Sequence, residues 1–249
     1  MSRAGLAARL RAGEALLGAW CSLPGPGPAE LLAAGGVDYV VLDLQHGLLG
    51  ERDLPSLFPA IEAHGAAPVV RLRANDPVDI GRVLDLGAEG IVVPNVDSVE
   101  EAESAVRATR YPPRGGRGFG PVRAGLTRGA DALEDVAVIV QVESRAAVEC
   151  VNDLARVDGV AALYVGPWDL SVSLGRPVPP SLADPELAEA IFRVRVAADA
   201  AGLSAGVHSI RAEEAGALAA EGWRLVNVVD DVTALRDAAA AGLRRARPS

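Results

Sequence analysis

The chain is expected to fold as a (β/α)₈ barrel, and three observations lead there. Its 249 residues match the roughly 250 of that architecture. Eight short, β-branched, apolar runs recur along it, and Ala-rich amphipathic stretches separate them. The runs are Leu16–Cys21, Tyr39–Leu44, Pro68–Leu72, Gly90–Pro94, Val136–Val142, Ala161–Gly166, Ser204–Val207 and Leu225–Val229. Most are continuous rather than alternating, as parallel strands covered on both faces require. The intervening stretches read as helices. Ser98–Thr109 opens with a Ser-x-x-Glu capping box at Ser98 and Glu101, and Ile210–Glu221 stops at Gly222. An open doubly wound sheet is the alternative. The strand count and the lack of a G-x-G-x-x-G after an early strand disfavour it.

The longest interruption is Arg110–Asp135, containing the Pro- and Gly-dense run Tyr111–Arg123, which forbids a regular helix; a connection of this length is often functional. No stretch reads as a linker, so residues 1–249 are expected to form one domain, frayed after Arg244.

Composition narrows the function classes. A formal charge of -9 leaves no basic stripe for nucleic acid. No apolar run reaches the roughly 18 residues of a membrane span. The first residues lack the order of a secretion signal, so a cytoplasmic location is expected. Cys21 and Cys150 are too few for a disulfide framework and read as small packing residues. All 24 basic residues are Arg, and the chain contains no Lys. A lysine Schiff base is therefore excluded, and with it pyridoxal-phosphate chemistry; so is a nucleotide-binding P-loop. The three His residues are scattered, which does not suit zinc. Any metal is expected to be a hard divalent cation held by oxygen.

In such a barrel the site lies at the C-terminal ends of the strands, and unusual polar residues collect there. The second strand runs out through Asp43 and His46, the third ends at Arg71, the fifth carries Gln141 and Glu143, and the sixth runs into Trp168 and Asp169. Taken singly, Asp43 or Glu143 reads as a cap or an ion-pair partner, and His46 as a hydrogen-bonded loop residue. Their coincidence on one face points to function. Glu143 and Asp169, from adjacent strand ends, suit one hard cation with positions left for water and a chelating 2-oxo acid. The metal then acidifies the neighbouring C–H. Arg71 suits the enolate oxygen, and His46, oriented by Asp43, suits a general base acting directly or through water. His208 ends the seventh strand, where substrate-facing and structural roles are both open. His64 precedes the third strand on the opposite face and reads as structural. Asp85 sits near a helix C-terminus, unfavourably for the helix dipole, and calls for a specific partner, such as one across a subunit interface.

With these residues in view, the chain resembles the HpcH/HpaI aldolase family of metal-dependent pyruvate aldolases, which includes 4-hydroxy-2-oxoheptanedioate and 2-dehydro-3-deoxyglucarate aldolases. The resemblance spans nearly the whole sequence. It rests on Leu42-Asp-Leu-Gln-His-Gly47, Val69-Val-Arg-Leu72, Leu84-Asp-Leu-Gly-Ala-Glu-Gly-Ile-Val-Val-Pro94, Arg110-Tyr-Pro-Pro-Arg-Gly-Gly-Arg-Gly-Phe-Gly120, Gln141-Val-Glu143 and Val165-Gly-Pro-Trp-Asp-Leu-Ser171. It implies a TIM barrel of the phosphoenolpyruvate/pyruvate superfamily type, assembled as a hexamer with the C-terminal helix exchanged between neighbours. It further implies Mg²⁺, Mn²⁺ or Co²⁺ at Glu143 and Asp169, and pyruvate enolate on Arg71 with Gln141 beside it. The pyruvate carboxylate is implied to sit on the backbone N–H groups of Trp168 and Asp169, and His46 with Asp43 to act as a dyad. The reaction implied is aldol addition or cleavage between a 2-oxo acid and an aldehyde.

Three positions depart from the family pattern. Gln45 stands where the best-known members have Glu, Trp168 where small residues are common, and Val229 where a Gly is expected in the eighth strand. These bear on the aldehyde acceptor more than on the metal-enolate step. Arg123, in the variable mouth, suits either an acidic acceptor or a surface salt bridge. The rival readings are a related metal-enolate enzyme (decarboxylase, thioester lyase or biosynthetic condensing enzyme) and a non-catalytic barrel that binds a 2-oxo acid.

Overall fold

A computed structural model describes residues 4–209 and 214–247. The strands are β1 (Leu16–Cys21), β2 (Tyr39–Asp43), β3 (Ala67–Arg71), β4 (Gly90–Val93), β5 (Ala137–Val142), β6 (Val160–Val165), β7 (Ser204–His208) and β8 (Leu225–Asp230). Each lies within one residue of its expected bounds. They pair in chain order, all parallel, and β8 closes on β1 to complete the barrel. Helices cover the outside, so the strands are buried on both faces, which is why their sequences are continuously apolar.

Two apolar layers result. One lies between the strands and the outer helices and includes Val40, Leu42, Leu57, Phe58, Ile61, Val70 and Ile91. The other fills the barrel interior with Leu16, Trp20, Tyr39, Val41, Val69, Val92, Ile139 and Tyr164. Alternate residues of each strand point inward, so Val41 is followed on that face by Asp43, Val69 by Arg71, and Ile139 by Gln141. This period of two delivers the polar side chains to the interior at the C-terminal end.

Two inward glycines make room for large rings. A Cβ at Gly18 would lie 2.1 Å from the Tyr39 ring, and one at Gly206 would lie 2.4 Å from that of Tyr164. The opposite end is closed by the helix Leu6–Arg11, whose Leu6, Ala7 and Leu10 join the interior cluster. The N–H of Leu6 donates to Glu89 at 3.0 Å and the hydroxyl of Ser204 to the carbonyl of Leu10 at 3.1 Å, fixing this plug.

Elsewhere the local expectations are met with changes. The helix Val99–Thr109 is capped by Ser98, which accepts from the Glu101 N–H at 3.2 Å. The return bond of the capping box goes to the N–H of Asp97, at 2.7 Å, instead of to Ser98. The connection after Arg110 is irregular through its Pro- and Gly-dense half, but a helix forms over Val122–Thr127 once Pro121 is past. The helix expected over Ile210–Glu221 is observed as Ala215–Ala220; residues 210–213 lie outside the described residues. The last helix, Asp231–Ala246, runs beyond Arg244, so the chain is not frayed there; its final two residues lie outside the described ones. Among the described residues no helix is long and apolar enough to cross a membrane. Cys21 is buried and Cys150 half-buried, and both are free thiols.

Candidate functional site

A cavity of about 770 Å³ opens at the C-terminal end of the barrel. His46, Arg71, Gln141, Trp168 and Asp169 all line it. Asp43 and Glu143 lie just behind its wall, 3% and 4% exposed. The structure thus brings the seven residues singled out from sequence to one place.

On the β2–β3 side, register sets the geometry. Asp43 and Arg71 are partners across the two strands, so the carboxylate meets the guanidinium directly, at 2.9 Å from Nε and 2.6 Å from Nη2. Asp43 also accepts from the Trp20 indole at 3.2 Å and from the N–H groups of Gln45 at 3.0 Å and His46 at 3.2 Å. Burial alone would raise the proton affinity of Asp43; the Arg71 bonds and charge, with the other donors, more than offset it and hold the carboxyl below its ordinary range. Arg71 in turn lies over the Trp20 ring, 5.0 Å from its centroid.

This alters the expected His46–Asp43 relation. Five donors saturate the two carboxylate oxygens, and His46 contributes its main-chain N–H to that set rather than its imidazole. Asp43 therefore holds Arg71 and the turn that carries His46. The imidazole itself stands exposed at the cavity mouth.

The β5–β6 side is held differently. Glu143 accepts from the N–H of Asn95 at 2.8 Å and from the Gln141 amide. Asn95 has a left-handed backbone (φ 54), a conformation Asn tolerates better than most residues, and this turn follows β4 directly. Burial is the main cause that raises the Glu143 pKa to about 7; the charge of Asp169 adds to it, and Arg71 only partly offsets it. Gly166 keeps the space in front of these groups open, since a Cβ there would sit 2.7 Å from the Gln141 amide nitrogen and 3.0 Å from a Glu143 oxygen. The side-chain carbonyl of Gln141 is buried with no protein partner. Asp169 lies in the first turn of the helix Pro167–Ser173, which no side chain caps, leaving first-turn N–H groups available.

This donor set fits a hard divalent cation. It consists of carboxylate oxygen atoms, with the charge of Asp169 acting on the buried Glu143. Among the described residues no group of three or more His, Cys, Asp or Glu side chains is placed to hold a metal.

Sequence reasoning missed the remaining wall. Trp20, Tyr164, His208 and Asn227 belong to it, together with Ser22, Asp230, Thr233 and Arg236, and of these only His208 stood out in the sequence. Trp20 stacks on Tyr164 (5.9 Å between centroids) and meets His208 edge-on at 5.0 Å. The signal was present as parity, since Trp20 and Asn227 fall on the inward alternation of β1 and β8, in step with Leu16 and Leu225.

Three further residues found partners elsewhere. Arg123 pairs with Glu62 at 2.6 Å and donates to the carbonyl of Leu86 at 2.8 Å, so it is a structural tie. Asp85 ends the helix Pro77–Asp85, and its partner is Arg117 of the same chain, at 2.7 Å. His64 lies 3.7 Å from Glu30, away from the cavity.

Comparison with known proteins agrees with this architecture. Residues 17–238 match the family model described as HpcH/HpaI aldolase/citrate lyase. A hydroxypyruvate/pyruvate aldolase of Rhizorhabdus wittichii is 37% identical over 231 residues, covering 91% of this chain and 92% of that one. One of the same name from Delftia acidovorans is 38% identical over 250 residues, covering 96% and 91%. The crystal structure of a family protein from Burkholderia cenocepacia superposes with a TM-score of 0.90 at 36% identity, covering 98% of this chain and 99% of that one.

Proposed function

Because the chain belongs to the HpcH/HpaI aldolase/citrate lyase family, we propose that its cavity makes or breaks the carbon–carbon bond between pyruvate, or a close 2-oxo acid, and an aldehyde. The chain is a carbon–carbon lyase of the aldolase type. The observation that carries the site assignment is the contrast between Glu143, raised to a pKa of about 7 beside Asp169, and Arg71, neutralised by Asp43. Glu143 and Asp169 would hold Mg²⁺, Mn²⁺ or Co²⁺. Such an ion, when bound, supplies Lewis acidity to the oxo group of the substrate.

The chain's own residues account for the rest. Arg71 uses Nε and one Nη2 proton on Asp43, which leaves its remaining N–H groups for the oxygen that becomes negative as the methyl C–H ionises. Its position, fixed by Asp43 and the Trp20 ring, lowers the reorganisation this needs. The uncapped N–H groups of Trp168 and Asp169 receive the substrate carboxylate. Gln141 fixes Glu143 through its amide and offers its free carbonyl to a substrate or water proton. His46, exposed at the mouth on the turn that Asp43 organises, takes the methyl proton directly or through water. The resulting carbanion attacks the aldehyde carbon, and the aldehyde oxygen takes up a proton. Catalysis with no Lys is consistent with this route and not with a Schiff base.

We also propose one domain whose terminal helix is exchanged between subunits of a hexamer. That helix buries only Asp231 and leaves Val232, Leu235 and Leu243 exposed. A reducing, cytoplasmic location suits the two free thiols.

The test is solvent exchange. Pyruvate incubated in D₂O with the protein and Mg²⁺ or Mn²⁺ should lose its methyl proton signal, without any aldehyde, and His46→Ala should abolish the loss while sparing metal binding. Protein that binds metal yet leaves the methyl protons in place would refute the reading.

A further inference from the structure

The β7–β8 side of the cavity carries a polar pair that the chemistry above does not use. His208 and Asn227 are register partners on the two strands, and the amide nitrogen of Asn227 lies 3.4 Å from Nε2 of His208. Both line the cavity. Asn227 is only 2% exposed, and its side-chain carbonyl is buried without a protein partner.

We propose that His208 and Asn227 form a subsite for a hydroxyl group of the substrate, a recognition element that rests on the aldolase reading of the same cavity. A buried side-chain amide normally has partners for both its polar atoms. If the Asn227 nitrogen donates to His208, the carbonyl needs a donor. If the amide is turned over, the carbonyl accepts from the imidazole, and the nitrogen needs an acceptor. A hydroxyl both donates and accepts, so it completes either arrangement; a methyl group completes neither.

The electrostatics select a neutral group. Burial holds His208 uncharged, with its pKa lowered to about 4, and the carboxylates of Asp230 and Asp43 act on it along with the Arg71 charge. A second anionic substrate group at this pair would meet those carboxylates, whereas a neutral hydroxyl would not be repelled by them. The T-shaped contact between the His208 and Trp20 rings fixes the imidazole, so the subsite is built before substrate arrives. It serves either a hydroxylated 2-oxo acid or a hydroxylated aldehyde, and the two sources are separable.

The experiment compares matched probes on the Mn²⁺-loaded protein. One arm titrates it by calorimetry with hydroxypyruvate and with pyruvate. The other measures glycolaldehyde and acetaldehyde binding to the pyruvate-bound protein by saturation-transfer NMR. In at least one arm the hydroxylated probe should bind about 10-fold more tightly or better. Asn227→Leu and His208→Phe should each bring that ratio toward one. The Phe ring keeps the T-shaped contact with Trp20, so it serves if the Leu variant fails to fold. A wild-type ratio near one in both arms would overturn the proposal, as would a preference that survives both substitutions. Neither arm needs turnover. Failure of methyl exchange would thus count against the aldolase reading, and failure of discrimination against this subsite.

Discussion

Asp43 at the end of β2 and Glu143 just past β5 are almost equally buried, yet their surroundings shift their proton affinities in opposite directions. Asp43 has a full set of donors, including a two-pronged bond from Arg71, and its proton affinity is lowered. Glu143 has one main-chain N–H and one neutral amide, faces the charge of Asp169, and has its pKa raised to about 7. Burial is the same; the company differs. A carboxylate whose partners lie within the fold is an anchor, whereas one left short of positive charge is ready for a cation from outside.

The comparison breaks most visibly through stability. Arg71→Leu leaves Asp43 buried without its cation and should destabilise the protein by about 3–5 kcal/mol. Glu143→Gln removes a charge that the fold does not balance and should leave the metal-free stability equal or higher. Urea denaturation followed by tryptophan fluorescence measures both. Equal losses would erase the distinction.

A pH series sharpens the same contrast. Below the ordinary carboxyl value of 4.5 both the folded and unfolded chains keep the Glu143 proton. Between there and about 7 only the folded state keeps it, so the metal-free protein should lose stability as pH rises through that window. The slope from this group is about 1.4 kcal/mol per pH unit. Glu143→Gln should flatten it, and a slope that persists in that variant would show another group to be responsible.

A smaller effect comes from the space beside Glu143. Gly166→Ala puts a methyl against Gln141 and Glu143 and should cost about 1–3 kcal/mol of stability. Thermal melting, with and without Mn²⁺, reads this. Unchanged melting together with unchanged metal binding would mean that the Glu143 wall is looser than its contacts imply.

Much of this architecture was legible in the sequence. Continuous β-branched runs have few alternatives to buried parallel strands, so all eight were placed within a residue. The site residues stood out because charged and amide side chains at strand ends have no reason to be there in a closed barrel except the cavity. What stayed hidden depended on register and backbone geometry. That Asp43 meets Arg71 and only the main chain of His46 follows from the β2–β3 pairing. That Asn95 turns its N–H onto Glu143 follows from one left-handed residue. Asn227 sits within an apolar strand and shows its significance only once β7 is known to place His208 beside it. Arg123 was open from sequence to an acidic acceptor or a salt bridge, and a short helix settles it by carrying the side chain to Glu62.

The most direct test of the central claim is Mn²⁺ titration followed by electron paramagnetic resonance, on wild type and Glu143→Gln, at a pH on either side of 7. The account predicts one site per chain, tighter at the higher pH because the cation displaces the Glu143 proton, and loss of that site in the variant. Binding that is unchanged in Glu143→Gln, or indifferent to pH, would contradict it.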